Sequence, residues 1–142
     1  KYPAEWKQSA VMPALTIVQE HNGGWLSREL MGDVAAYLDM PEVSVYEVAS
    51  FYGMYDLAPT AKHKVCVCNS ISCMLNGSEE LIHHVEHKYG VQPGETTQDG
   101  RFTFKEVECL GACKDAPAVL IGKTYHERLT PESLDALIED LE

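Results

Sequence analysis

The sequence predicts an α+β protein: a helical first half, residues 1–60, followed by an α/β second half, residues 61–142. Two observations carry this division. Apolar residues recur at steps of three and four as far as about residue 58, whereas short alternating runs appear only beyond residue 62. All five cysteines also fall in the second half, four of them in tight pairs: a C-x4-C pair, Cys68 and Cys73, and a C-x3-C pair, Cys109 and Cys113.

In the first half, Trp6, Ala10, Ala14, Ile17, Val18 and His21 keep helical spacing over 4–22, and Gly23-Gly24 ends the pattern. Pro13 lies inside it, so the expectation is either a kink there or a main helix that starts near Met12. Ser27 is the expected N-cap of a second helix over 28–38, with Leu30, Val34 and Leu38 inward. A third is expected over 41–53, with Pro41 in its first turn and Val45, Val48, Ala49 and Tyr52 inward. Tyr46, Phe51, Tyr52 and Tyr55 form an aromatic cluster whose expected role is core plus partner-facing surface.

In the second half, His63–Cys68 alternates as a strand that ends on the first cysteine pair. A helix is expected over 74–89, with Asn76 and Glu79 at capping-box spacing and Leu81, Val85 and Tyr89 inward. Pro93-Gly94 and Asp99-Gly100 mark turns. Arg101–Glu108 alternates with its apolar set displaced by one, which predicts a bulge near Lys105–Glu106. Ala118–Ile121 and Thr124–His126 read as a hairpin turning at Gly122-Lys123. Thr130 and Pro131 open a last helix with Leu134, Leu137, Ile138 and Leu141 inward.

Composition excludes several function classes. The 142-residue chain has no apolar run near the roughly 20 residues that cross a membrane, so no direct membrane insertion is expected. Its first seven residues have no apolar leader core, and a first residue other than Met leaves an upstream targeting segment open. A net charge of −11 repels phosphate backbones and anionic lipid, so no nucleic-acid partner is expected. An odd cysteine count argues against a secreted disulfide framework.

Four thiols in two tight loops are a metal-ligand pattern. Both loops follow strands, so both can leave the same end of one sheet. In a 2Fe-2S cluster each iron takes two thiolates, and each short pair can clamp one iron. Gly77, Gly111 and Ala112 would let backbone N–H groups approach the sulfurs. Structural zinc is the alternative, although zinc pairs are most often spaced two apart. A thioredoxin-type dithiol needs C-x-x-C, which is absent. Cys66 points to the same face as Cys68 and reads as a small buried residue. His83 and His87 are spaced to share a metal, but no acid sits as in H-E-x-x-H, and they read as a solvated face. Lys114 and Asp115 read as rim charges, and no phosphate-binding loop is present.

Val67-Cys68, Cys73-Met74-Leu75, Val107-Glu108-Cys109-Leu110-Gly111-Ala112-Cys113, Ala116-Pro117, Val45–Tyr52 and Gly94–Thr97 together resemble one family over nearly the whole chain. It is the thioredoxin-like 2Fe-2S subunit of the NADH dehydrogenase module of respiratory complex I: the E-type subunit in bacteria, the small flavoprotein-fraction subunit in mitochondria. The resemblance implies a helical N-terminal region joined to a thioredoxin-like domain that carries one 2Fe-2S cluster on Cys68, Cys73, Cys109 and Cys113. It also implies one-electron exchange with FMN on a larger FMN- and NADH-binding flavoprotein subunit, and membership of the peripheral arm of NADH:quinone oxidoreductase. That arm lies on the cytoplasmic side of the bacterial inner membrane, or in the matrix for a mitochondrial chain. No substrate-binding active site is implied on this chain. Relatives serve NAD-linked formate dehydrogenases and hydrogenases. Two positions depart from the family pattern: Ser72 stands where Pro is usual, and Cys66 where Cys is not.

Overall fold

The computed structural model describes residues 2–141; Lys1 and Glu142, the outer limits of the two expected regions, lie outside them. The chain divides into two units, Lys1–Thr60 and Ala61–Glu142.

In the first unit the spacing over 4–22 becomes a 3-10 helix, Ala4–Ala10, that passes into α1, Val11–His21. Pro13 falls in the first turn of α1, where an N–H has no intrahelical partner, so it leaves that helix intact. The break lies earlier, at Trp6, with φ −121° and ψ 25°. Ser27 caps α2, Arg28–Leu38, by accepting from Leu30 N at 3.2 Å. Pro41 is the N-cap of α3, Glu42–Phe51.

The core of this unit gathers Leu15, Leu26, Met31, Val34, Ala35, Leu38, Val45, Ala49 and Tyr55. Leu30 is only half-buried, because Met31 and Ala35 share the inner face of α2 with Val34 and Leu38. Tyr52 lies beyond α3 in extended backbone and is exposed. The aromatic cluster therefore separates. Tyr55 enters the core and donates to Met12 O at 2.9 Å, whereas Tyr46 and Phe51 face solvent. Buried Gln19 holds the 54–56 segment through Met54 O (3.0 Å) and Asp56 N (2.8 Å), so its amide is satisfied.

The second unit is a four-stranded sheet of order β2-β1-β3-β4, built from β1 (His63–Cys68), β2 (Phe102–Val107), β3 (Ala118–Ile121) and β4 (Thr124–Glu127). β1 and β2 are parallel, while β3 is antiparallel to both β1 and β4. Parallel neighbours need a crossover. Here it contains α4 (Ile71–Leu75) and α5 (Ser78–Tyr89), and α6 (Pro131–Glu139) follows β4. The core comprises Val65 and Val67 of β1, Phe102 and Phe104 of β2, Val119 and Ile121 of β3, Leu81, Ile82 and Val85 of α5, Leu134 and Ile138 of α6, and Val91.

Three expectations need correction. The helix over 74–89 is two helices, broken at Gly77, whose φ of 94° is a left-handed conformation open to glycine. The capping box on Asn76 and Glu79 does not form; Asn76 Nδ2 instead donates to Ser72 O at 2.7 Å and closes α4. β2 carries no bulge, since its register with β1 runs unbroken from His63–Phe102 to Cys68–Val107. The apolar shift arises because Glu106, on the face of Phe102 and Phe104, has left the core and takes a hydrogen bond from Asn69 Nδ2 at 2.7 Å. A capping box does form at α6, between Thr130 and Ser133.

Asp135 ties α6 to α5. It accepts from Tyr89 OH at 2.9 Å and lies 2.9 Å from His84 Nε2 and 2.8 Å from Lys88 Nζ. Burial raises the Tyr89 hydroxyl, with the Asp135 contact, to about 12. Burial also opposes charge on Asp135, but hydrogen bonds from Lys88, His84 and Tyr89 outweigh it and hold the carboxyl below its ordinary value. A depressed carboxylate contributes stability that is present above its unfolded pKa and lost as pH falls through the folded value. Asp135→Asn is therefore expected to be less stable than wild type above about pH 5, with the difference shrinking as pH falls below about 4. Urea denaturation across that range measures it. A difference independent of pH would contradict the assignment. Leu134→Ala, in the fully buried core, should cost about 2–5 kcal/mol by the same measurement.

Candidate metal centre

The sheet decides where the cysteines go. β1 and β2 run side by side in the same direction, Cys68 pairs with Val107, and Asn69 N donates to Val107 O at 2.9 Å. The chain after β1 and the chain after β2 thus leave the same edge. Cys68 is the last residue of β1, and Cys73 is the third residue of α4. Cys109 lies two residues beyond β2, and Cys113 opens a 3-10 turn, Cys113–Asp115.

The four thiols meet as two pairs. Cys68 and Cys73 are buried, hydrogen-bonded to each other, and pack with Ala118, Leu110, Ala112 and Ala116. Cys109 Sγ and Cys113 Sγ are 3.6 Å apart and exposed. The pairs sense each other electrostatically: Cys113 acts on Cys73, and Cys68 acts on Cys113. None of the cysteines is in a disulfide. Among the described residues no group of three or more His, Cys, Asp or Glu side chains is set to hold a single ion.

Donors converge on the sulfurs. Gly111 N donates to Cys109 Sγ at 3.4 Å, from a φ of 80° that glycine adopts without strain. The backbone N–H groups of Leu110 and Ser70 reach Cys68, and that of Ala118 reaches Cys73. The Ser72 side chain bonds to Cys113. Burial opposes the Cys68 thiolate, but the Leu110 and Ser70 N–H groups, with Cys73 and the Ser70 hydroxyl, bring its pKa below the ordinary thiol value. For Cys73 burial prevails over the Ala118 N–H, and the neighbouring Cys68 adds to the rise. For Cys113 the hydrogen bond and charge of Cys109 raise the pKa against the Ser72 bond. A pair of thiols that resists holding two negative charges at once is what a cation between them relieves.

The donor set fits a binuclear iron–sulfur group: two thiol pairs in place of one tetrahedral shell, with N–H groups aimed at sulfur. All four expected ligands lie at this sheet edge. Cys66 pairs with Lys105 and Leu120 in the sheet and is half-buried, less enclosed than expected. His83 is exposed beside Glu86, and His87 is exposed. Ser70 and the N–H groups of Leu110 and Ala118 are not legible in the sequence as site elements, since backbone donors leave no mark in residue type. Gly77 shapes the end of α4, whereas Gly111 supplies a donor.

The thioredoxin-like 2Fe-2S ferredoxin family model matches residues 1–142. A Rickettsia bellii protein, named as the E-type subunit of NADH-quinone oxidoreductase, is 44% identical over 141 residues, covering 99% of this chain and 84% of that protein. A Dictyostelium discoideum protein named NADH dehydrogenase (ubiquinone) flavoprotein 2, mitochondrial, is 43% identical over 141 residues, covering 99% of this chain but 57% of its own length. Among solved structures, an NAD+-reducing NiFe-hydrogenase in its H2-reduced state superposes with a TM-score of 0.73 at 25% identity, over 90% of this chain and 22% of the hydrogenase chain. With the matched model spanning every residue, the chain belongs to the thioredoxin-like 2Fe-2S ferredoxin family.

Proposed function

We propose that this chain is the one-electron carrier of NADH:quinone oxidoreductase, its E-type subunit, holding one 2Fe-2S cluster on Cys68, Cys73, Cys109 and Cys113. The observation that carries the reading is the convergence of two thiol pairs at one sheet edge under several N–H donors, in a chain of this family. When bound, the cluster takes up and returns a single electron. The chain's own residues do the rest. The four thiolates would hold the irons, and the N–H groups of Leu110, Ser70, Gly111 and Ala118 offset negative charge on sulfur. The exposed Cys109–Cys113 pair leaves one side of the site where a partner can approach.

The partner in this reading is the FMN- and NADH-binding flavoprotein subunit, within the peripheral arm of the complex. That arm sits at the cytoplasmic face of the bacterial membrane, or in the matrix. Among the described residues no helix is long and apolar enough to cross a membrane. The likeness to an NAD+-reducing hydrogenase favours a second reading, the same role in a hydrogenase or formate dehydrogenase. The large subunit that co-purifies separates the two.

Purified protein is expected to be brown, with about two irons and two sulfides per chain and a paramagnetic signal on reduction. Colourless protein containing one zinc would overturn the reading in favour of a structural zinc module. Cys109→Ser should abolish or distort the cluster spectrum, whereas Cys66→Ser should leave it nearly unchanged; loss on changing Cys66 would refute the ligand assignment. Ser72→Ala removes a hydrogen bond to the Cys113 sulfur and should lower the reduction potential, measured by redox titration of the visible spectrum.

A further inference from the structure

The second ligand loop is held from outside by a pair of residues that no thiol chemistry requires. Immediately after Cys113 the chain makes a 3-10 turn in which Asp115 N donates to Ala112 O at 3.1 Å. Asp115 is then gripped twice by one residue. Its backbone oxygen accepts from Arg128 N at 2.9 Å. Its carboxylate Oδ1 accepts from Arg128 Nε at 2.9 Å and from Arg128 Nη2. Arg128 adopts φ 53°, a left-handed conformation that is costly for a residue with a side chain. It stands between the end of β4, Glu127, and Leu129, which packs against the core just before the capping box of α6 at Thr130, so the chain is anchored on either side of it. A strained backbone persists where its surroundings over-determine it, and such positions cluster at functional sites.

We infer that Asp115 and Arg128 are positioning residues for the metal centre: together they moor the Cys109–Cys113 loop to the β4–α6 junction. The inference rests on the cluster reading above. The need for a mooring follows from the asymmetry of the site. Cys68 and Cys73 are buried and carried by a strand and a helix, whereas Cys109 and Cys113 are exposed and lie on a loop. A metal site is only as exact as the elements that carry its ligands. An isolated exposed ion pair contributes little to stability, and the Arg128 side chain is 74% exposed. Its combination with a backbone bond, at a position where glycine would be the unstrained choice, points to geometry as its function.

The test uses the purified holoprotein and three variants. Asp115→Ala removes the carboxylate. Arg128→Gly removes the guanidinium but accommodates φ 53° and keeps the backbone N–H, so it guards against simple misfolding. Arg128→Lys keeps the charge without the planar fork. The readouts are the rate of iron release to a chelator and the paramagnetic spectrum of the reduced protein. Asp115→Ala and Arg128→Gly are expected to release iron roughly tenfold faster than wild type and to broaden the spectrum, with Arg128→Lys between. Folded, brown variants with wild-type release rate and spectrum, whatever their thermal stability, would overturn the inference alone. A wild-type protein without iron would overturn the cluster reading and this inference together.

Discussion

The parallel pairing of β1 with β2 is the constraint on which the metal centre depends. Parallel neighbours end at the same edge, so a cysteine pair placed after each strand is delivered to one place without further design. An antiparallel arrangement of the same strands would send the pairs to opposite ends. The crossover that parallel pairing demands is also put to use, because its first helix, α4, carries Cys73. Register matters as much as direction. Cys68 opposite Val107 sets the second pair a few residues further along, so the two loops face each other.

The two pairs are unequal, and the inequality organises the chemistry. The first is enclosed by Ala118, Leu110, Ala112 and Ala116, small or flexible groups that let the backbone come close to sulfur. Enclosure disfavours charge, and backbone N–H groups compensate for it. The outcome differs between neighbours: hydrogen bonds prevail at Cys68 and burial prevails at Cys73. The second pair is open to solvent and holds its geometry through Gly111 and the turn at Cys113–Asp115. One half of the site is thus ordered by packing, the other by hydrogen bonding.

Much of this is legible in the sequence because it rests on residue type. Ser27, Thr130 and Pro131 announce helix starts through their own chemistry, and the spacing of the four cysteines is where the metal-centre proposal begins. The α4–α5 break is hidden because Gly77 sits inside a continuous apolar pattern and its positive φ has no periodic signature. Alternation in β2 suggests a bulge only when every in-facing position is taken as buried; Glu106 in fact lies past the end of the core and bonds Asn69. Asp115 reads as a rim charge, since its partner Arg128 is thirteen residues away across a hairpin. What the sequence hides is a positive φ, an in-facing position beyond the end of the core, backbone donors, and a contact made across a hairpin.

Magnitude decides which of the chain's charges the metal centre senses. A net charge of −11 opposes any added electron. Exposed carboxylates more than about 8 Å away are largely screened at physiological ionic strength. The N–H dipoles act at hydrogen-bond distance, 3.4 Å for Gly111 and Cys109, where no solvent or counterion intervenes. A hydrogen bond to a charged sulfur is moreover about twice as strong as one between neutral groups. The local donors therefore outweigh the distant acids, and the acidic surface is free to serve solubility and the choice of partner.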